Sequence, residues 1–272
     1  MTASLESIVA ATRRRISQRK AGNGRGFDVK SLERAAAEHS PRGFRKQLQR
    51  LGKNGIAVIA ELKKASPSKG LIRADFRPAE LARELEGAGA AALSVLTDEE
   101  FFQGSLDNLR AASAGGSLPC LRKDFVVDEL QIVEARANNA DAILLIVAAL
   151  EQSELLALAR SAQSWSLDVL CEAHDETELE RALDAGCDLI GINSRNLCTF
   201  EVNIDTALRL GEKIPADCVR VAESGIQSGS DLARLRSAGY EAFLIGESLM
   251  KVEHPGEALA KLIDEAKMAV SR

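Results

Sequence analysis

From residue 57 onward the chain alternates between two kinds of stretch. Short apolar runs occur at AVIAEL (57–62), ALSVLT (92–97), PCLRKD (119–124), AILLIVAAL (142–150), DVLCEA (168–173), LIGINS (189–194), CVRVAES (218–224) and AFLIGES (242–248). Between them lie segments such as PAELARELEGAGA and DETELERALDAGC, whose apolar residues recur at helical spacing. Short apolar runs bounded by turn residues read as buried strands, and the segments between them as amphipathic helices. The units follow one another at roughly 21–35 residues, the period of parallel βαβ units. Several helices close on glycine, at Ala88-Gly89, Ala185-Gly186 and Ala238-Gly239, where a left-handed residue ends the last turn.

Strand–helix units of this number close into a barrel, so residues 57–272 are expected to form a single α/β domain, a (β/α)8 TIM barrel. The rival, an open doubly wound sheet, lacks its G-x-G-x-x-G turn after the first strand. Residues 1–56 carry no strand pattern and are expected to be a helical N-terminal extension packed on the barrel. SLESIVAATRRRISQRK (4–20) is amphipathic, with Leu5, Ile8, Val9, Thr12 and Ile16 on one face. GNGRG (22–26) reads as a turn, and further helices are expected from Ser31 and over 42–51. The basic run Arg13 to Arg15 reads as a solvated face.

Composition narrows the function classes. With 272 residues, 46% hydrophobic and 28% charged, the chain is an ordinary globular protein with a large core. A net charge of −5 favours neither nucleic acid nor an anionic membrane surface as a partner. No apolar run approaches the ~20 residues of a membrane span, and the N-terminus has no apolar signal core. The five cysteines (Cys120, Cys171, Cys187, Cys198, Cys218) are scattered without a C-x-x-C pair. A reduced, cytoplasmic, monomeric protein with no metal and no cofactor is expected, the histidines His39, His174 and His254 offering no ligand spacing.

In a barrel of this kind the chemistry sits at the C-terminal ends of the strands. The polar residues there are Glu61, Lys63, Thr97, Lys123, Glu172, Asn193 with Arg195, Glu223 with Ser224, and Glu247 with Ser248, while the fourth run ends apolar. A single charged strand end has a plain explanation, because a loop starts there. Lysines and glutamates converging from several strands point instead to general acid–base chemistry. Burial and like charge should lower the lysine pKa values and raise those of the glutamates. Lys63 and Lys123 are candidates for protonating an oxygen, and Glu61 and Glu172 for handling the partner proton. Glu223 would orient a lysine or bind a hydroxyl. Glycine turns at Ser224-Gly225-Ile226, leading into Ser228–Asp231, and at Ile245-Gly246-Glu247-Ser248 suit a phosphate cradle, with Ser66, Ser68 and Lys69 facing them.

The motifs IAELKKASPSKG (59–70), LSVLTDEEFFQGS (93–105), PCLRKDFVVDELQI (119–132), INSRNLCTF (192–200), VAESGI (221–226) and AFLIGESLM (242–250) together resemble the indole-3-glycerol-phosphate synthase family. The resemblance implies decarboxylating, dehydrating ring closure of 1-(2-carboxyphenylamino)-1-deoxyribulose 5-phosphate to indole-3-glycerol phosphate, in tryptophan biosynthesis. It implies Lys123 as the acid of ring closure, with Lys63, Glu61 and Glu172 dividing the later proton transfers among them. Asn193, Arg195, Glu223 and Ser224 match its substrate-positioning residues, and Ser66, Gly225, Gly246 and Glu247 fall at its phosphate and carboxylate contacts. Phe102 and Phe125, with Leu145 and Val147, would form the apolar slot. Ala65 and Glu247 depart from some members, which carry lysine and serine there. The partners implied are a small phosphorylated substrate and, at most, weak association with other pathway enzymes. The alternatives are a sugar-phosphate isomerase, a Schiff-base aldolase using Lys123 or Lys63, and a barrel kept only for binding.

Overall fold

The structure, a computed structural model, describes residues 4–22, 28–196, 199 and 201–270. The turn expected at 22–26 therefore lies, beyond Gly22, outside the described residues, as do Cys198 and part of the 192–200 motif. Among the described residues eight parallel strands close into a barrel: β1 (Ala57–Leu62), β2 (Ala92–Leu96), β3 (Cys120–Lys123), β4 (Ala142–Ile146), β5 (Asp168–Ala173), β6 (Leu189–Asn193), β7 (Val219–Glu223) and β8 (Ala242–Ile245). Each strand pairs with the next, and β8 returns to β1 in the register Ala57↔Ala242 to Ala60↔Ile245. The fourth run is shorter than its apolar length suggests: β4 ends at Ile146, and Val147–Ala149 forms a 3-10 turn. A small antiparallel hairpin, Ala65–Ser66 with Gly70–Leu71, folds the loop after β1. Gly70, at φ +65°, supplies its left-handed turn.

Because successive strand residues face opposite sides, each strand feeds two packed layers. Ala57 and Ile59 of β1, Leu121, Ala142, Leu144, Ile146, Leu170, Val219, Val221, Ala242 and Leu244 fill the barrel interior. Val58, Ala60, Leu62, Ile143, Leu145 and Cys171 pack outward against the helices. With both faces buried, the strands read as continuous apolar runs. The interior layers, at ~1.5–3 kcal/mol per fully buried aliphatic side chain, offset the cost of the polar layer above them.

Three helices precede β1 among the described residues: α1 (Leu5–Lys20), α2 (Val29–Glu38) and α3 (Phe44–Asn54). Helix α3 closes the N-terminal mouth, its Phe44 and Leu48 fully buried in the interior cluster. The segment leading to it is tied down by Asp141, at the foot of β4, which accepts from the Arg42 backbone N–H at 2.7 Å and from Arg42 Nε at 3.0 and 3.1 Å. Helix α1 lies over the opposite mouth and buries Ile8, Thr12 and Ile16. Of the basic run expected to be solvated, Arg14 is exposed, but Arg13 pairs with Glu154 at 2.8 Å and Arg15 with Asp98 at 3.4 Å. Arg19 and Lys20 add pairs to Glu134 (2.5 Å) and Asp128 (2.6 Å). These acidic partners are 83 to 141 residues away, which is why the local pattern showed only a charged face. Cys120, Cys171, Cys187 and Cys218 are buried free thiols. No helix among the described residues is long and apolar enough to cross a membrane.

Candidate active site

The C-terminal ends of the strands surround a cavity of about 710 Å³. Glu61, Lys63, Ser66, Phe102, Lys123, Phe125, Glu172, Asn193, Arg195, Ser224, Gly225, Gly246 and Glu247 all line it. Glu223 does not; only 1% exposed, it lies beneath the floor, against Lys123. Strand alternation brings this set together, since Glu61, Lys123, Glu172, Asn193 and Glu223 continue the inward-facing positions of their strands. The same alternation corrects one expectation. Leu145 and Val147 face the helices, and the cavity wall is made by Leu144 and Ile146. A shift of one residue exchanges the two faces of a strand.

Lys123 occupies the centre. Its Nζ donates to Glu223 Oε2 at 2.7 Å and to Glu172 Oε2 at 3.5 Å, and lies 3.9 Å from Glu61 Oε2. Glu61 also accepts from Lys63 Nζ at 2.5 Å. On Glu172 the other oxygen, Oε1, accepts from Asn193 Nδ2 at 3.1 Å. Burial disfavours the Lys123 ammonium, but Glu223, Glu172 and Glu61 outweigh it and hold its pKa well above the ordinary lysine value. Burial likewise disfavours the Glu172 carboxylate, yet Lys123, His174 and Asn193 keep it well below the ordinary range. Glu61 is lowered too, its burial overcome by Lys63 and Lys123. For these residues the direction is opposite to that expected from burial alone. Glu223 follows the expectation: burial, with Glu172 beside it, outweighs Lys123 and pushes its pKa up to about 7. Opposite charges within about 4 Å decide the sign for Lys123, Glu172 and Glu61, whereas at Glu223 burial and the Glu172 carboxylate prevail over Lys123 at 2.7 Å.

One side of the cavity is apolar. Phe102 and Phe125 stand with ring centroids 6.2 Å apart, beside Leu96, Leu144 and Ile146, and Leu5 and Ile8 of α1 form a roof. Phe125 is set by a buried network behind it. Asp124 accepts from Thr97 Oγ1 at 2.7 Å and Arg122 Nη2 at 2.8 Å, and its second oxygen accepts from the Phe125 backbone N–H at 2.9 Å. Thr97 thus serves the loop and not the cavity.

The other side carries the glycine turns. Ser224 and Gly225 are both left-handed, at φ +65° and +81°, and turn Ser224–Gln227 along the cavity wall. The helix expected from Ser228 begins there, as Gly229–Ser237, but Ser228 and Asp231 cap each other and the cavity lining stops at Gln227. After β8 a short helix, Glu247–Met250, starts from Gly246, and Glu247, Ser248 and Lys251 face the cavity. A Cβ on Gly246 would stand 2.8 Å from the Cβ of Glu61, so glycine here makes room for the Glu61 side chain. Glu247 accepts from Lys251 at 2.5 Å and lies 3.8 Å from Arg195. Ser66, Ser68 and Lys69 face these turns from the loop after β1.

Three features escaped the sequence reading. The roof from α1 is one. Gly191 is another, since a Cβ there would collide with the Glu223 carboxylate. The third is His174, whose Nε2 lies 3.3 Å from Glu172 Oε1. It stands two positions after Glu172, a spacing that puts both on one side of an extended strand end. Among the described residues no group of three or more His, Cys, Asp and Glu is placed to hold a metal ion.

Residues 5–262 match the family described as indole-3-glycerol phosphate synthase. A protein of that name from Koribacter versatilis (strain Ellin345) is 57% identical over 263 residues, covering 97% of this chain and 100% of the relative. Another, from Polaromonas naphthalenivorans (strain CJ2), is 55% identical over 209 residues, 77% of this chain and 80% of its own. Among solved structures, thiamine phosphate pyrophosphorylase from Pyrococcus furiosus superposes with a TM-score of 0.60 at 15% identity, over 80% of this chain and 98% of that one, a likeness of fold alone. With a family match across nearly its whole length and a relative 57% identical over the whole of its own length, this chain belongs to the indole-3-glycerol phosphate synthase family.

Proposed function

We infer that the chain catalyses the reaction of its family, converting 1-(2-carboxyphenylamino)-1-deoxyribulose 5-phosphate to indole-3-glycerol phosphate with loss of carbon dioxide and water. The observation that carries this reading is an ammonium surrounded by three carboxylates, Lys123 with Glu223, Glu172 and Glu61, beside an apolar wall on one hand and glycine turns on the other. The anthranilate ring would lie against Phe102, Phe125, Leu144 and Ile146 under Leu5 and Ile8. The phosphate would meet backbone N–H groups at Gly225 and Gly246, with Ser66 and Lys69 opposite and Glu247 beside them.

Ring closure requires the carboxylated ring carbon to attack the ribulose carbonyl while a proton reaches its oxygen. Lys123, kept protonated by its carboxylate neighbours, is the donor. Loss of carbon dioxide then restores the aromatic ring. Dehydration needs an acid at the departing hydroxyl and a base for the proton left behind. Lys63, bound to Glu61 at 2.5 Å, is assigned as that acid, and Glu172, ionised and fixed by Asn193, as that base. Asn193, Arg195 and Ser224 position the ribulose chain, and Glu223, beneath the floor, holds Lys123. A Schiff-base mechanism needs a neutral amine, which the surroundings of Lys123 oppose.

Incubation of the purified protein with the carboxyphenylamino ribulose phosphate should produce indole fluorescence, and borohydride should trap no adduct. Absence of fluorescence, or a trapped adduct on Lys123, overturns the reading. Residues 1–56 are proposed as the extension that seats on the barrel of 57–272. A cytoplasmic location is proposed on the buried free thiols. A monomer is proposed because the exposed large apolar residues among the described residues, Val29, Leu71, Val202, Val252 and Met268, come from separate segments of the chain; sedimentation tests it.

A further inference from the structure

We propose that His174 is a positioning residue for Glu172, its imidazole bridging that carboxylate to Glu178 and holding it in one rotamer with Oε2 turned toward Lys123. The inference rests on the use of Glu172 as a base proposed above and names what prepares it. His174 follows β5 by one residue and is 12% exposed in its side chain. Nδ1 lies 2.9 Å from Glu178 Oε2, and Nε2 lies 3.3 Å from Glu172 Oε1. Nε2 is buried and has no strict hydrogen-bond partner among the described residues, so Glu172 is what it faces. The ring itself is fixed from behind. Glu178, in the first turn of the helix Glu176–Asp184, also accepts the His174 backbone N–H at 2.8 Å, while Asp175 caps the Glu178 N–H.

Two carboxylates at the two ring nitrogens favour the doubly protonated imidazole, in which both nitrogens donate. Burial opposes that charge, but Glu172 and Glu178 outweigh it and push the His174 pKa up to about 10. Glu172 Oε1 then lies between the Asn193 amide and an imidazolium, while Oε2 is left to Lys123. The charged groups facing His174 are Glu172 and Glu178. Those facing Glu172 are Lys123 from β3, His174, Glu223 from β7 and Glu61 from β1. The effect on Glu172 is positional and electrostatic: without His174 the carboxylate gains rotamer freedom and holds a proton to higher pH.

The test compares His174→Phe, His174→Gln, Glu178→Gln and Glu172→Gln in the full chain. His174→Phe should lower kcat about tenfold with KM little changed and move the acidic limb of the kcat–pH profile upward by about one unit. His174→Gln, which keeps an N–H at the same reach, should recover most of kcat without returning the limb. In the parent protein, NMR titration of the three histidines should show His174 still protonated well above pH 7, and Glu178→Gln should shift that titration downward. An unchanged kcat and acidic limb in His174→Phe, with Glu172→Gln inactive, overturns the role of His174 and leaves Glu172 standing. Normal turnover by Glu172→Gln overturns the base itself. If His174→Phe does not fold, His174 titrating near 6.5 in the parent protein overturns the proposal.

Discussion

Lys123→Met tests the electrostatics of the site as well as its chemistry. Methionine fills nearly the same volume, so the change removes charge and not packing. It leaves Glu61, Glu172 and Glu223, which are 4%, 3% and 1% exposed, without the ammonium they share. Glu61 retains Lys63 at 2.5 Å, and Glu172 retains Asn193 and His174. Glu223 loses its 2.7 Å contact, and its other oxygen has no hydrogen-bond partner among the described residues. Removing one partner of a buried pair costs about 3–5 kcal/mol. Glu223 already titrates at about 7 and can take up a proton, so the cost at neutral pH should fall near the lower bound, about 3 kcal/mol. Against a typical total of about 5–15 kcal/mol the variant stays folded. The sign with pH is fixed. In the parent, Glu172 and Glu61 are depressed, so their contribution is present above the unfolded value near 4.5 and is lost as pH falls. In the variant Glu223 rises further, and a raised carboxylate contributes below its unfolded value and loses that contribution as pH increases. The stability gap between parent and variant should therefore be larger at pH 7.5 than at pH 5, as read by denaturation followed through Trp165, the single tryptophan. Loss of the acid should cost about 10²–10⁴ in turnover. Near-normal turnover refutes the assignment, and an equal stability gap at both pH values refutes the electrostatic account.

Other outcomes follow from the same geometry. Glu172→Gln should lower kcat by about 10²–10⁴ in the fluorescence assay, and an unchanged rate removes it from the mechanism. Glu223, raised to about 7, contributes stability that is complete below about 4.5 and is lost as pH rises through 7; Glu223→Gln should flatten the denaturation profile across that window. Gly246→Ala places a Cβ 2.8 Å from that of Glu61, so it should cost about 1–3 kcal/mol and depress turnover together, and a variant with parental values of both contradicts the packing described. Truncating the roof with Leu5→Ala and Ile8→Ala should raise KM about tenfold with kcat little changed, since the apolar contact binds ground and transition state alike.

The resemblance and the residue pattern met on the same strand ends, and the cavity gathers them. Glu61 and Lys63 were readable as neighbours on one face because two residues separate them in an extended strand. Asn193 and Glu223 were readable as strand ends from their position alone. Four things were not readable: the inward face of β4, the partners of Arg13 and Arg15, the clasp of His174, and the protonation of Lys123. In β4 every residue from Ala142 to Ile146 is apolar, so the alternation that distinguishes faces elsewhere carries no signal. For His174 the two-residue spacing from Glu172 is local, but that its ring lies between Glu172 and Glu178 is shown only by the fold.

What the chain determined by itself is whatever depends on neighbours a few positions away: alternating strand and helix periods, glycine stops, self-capping turns, and the placing of ionisable residues at strand ends. What the tertiary structure alone decided is which charges those residues meet. Lys123 reaches Glu172 and Glu223 across 49 and 100 positions of sequence, and Arg13 reaches Glu154 across 141. Coulomb interaction falls with distance and rises as water is excluded, so a protonation state is set by contacts of a few ångströms that exist only once the barrel has closed.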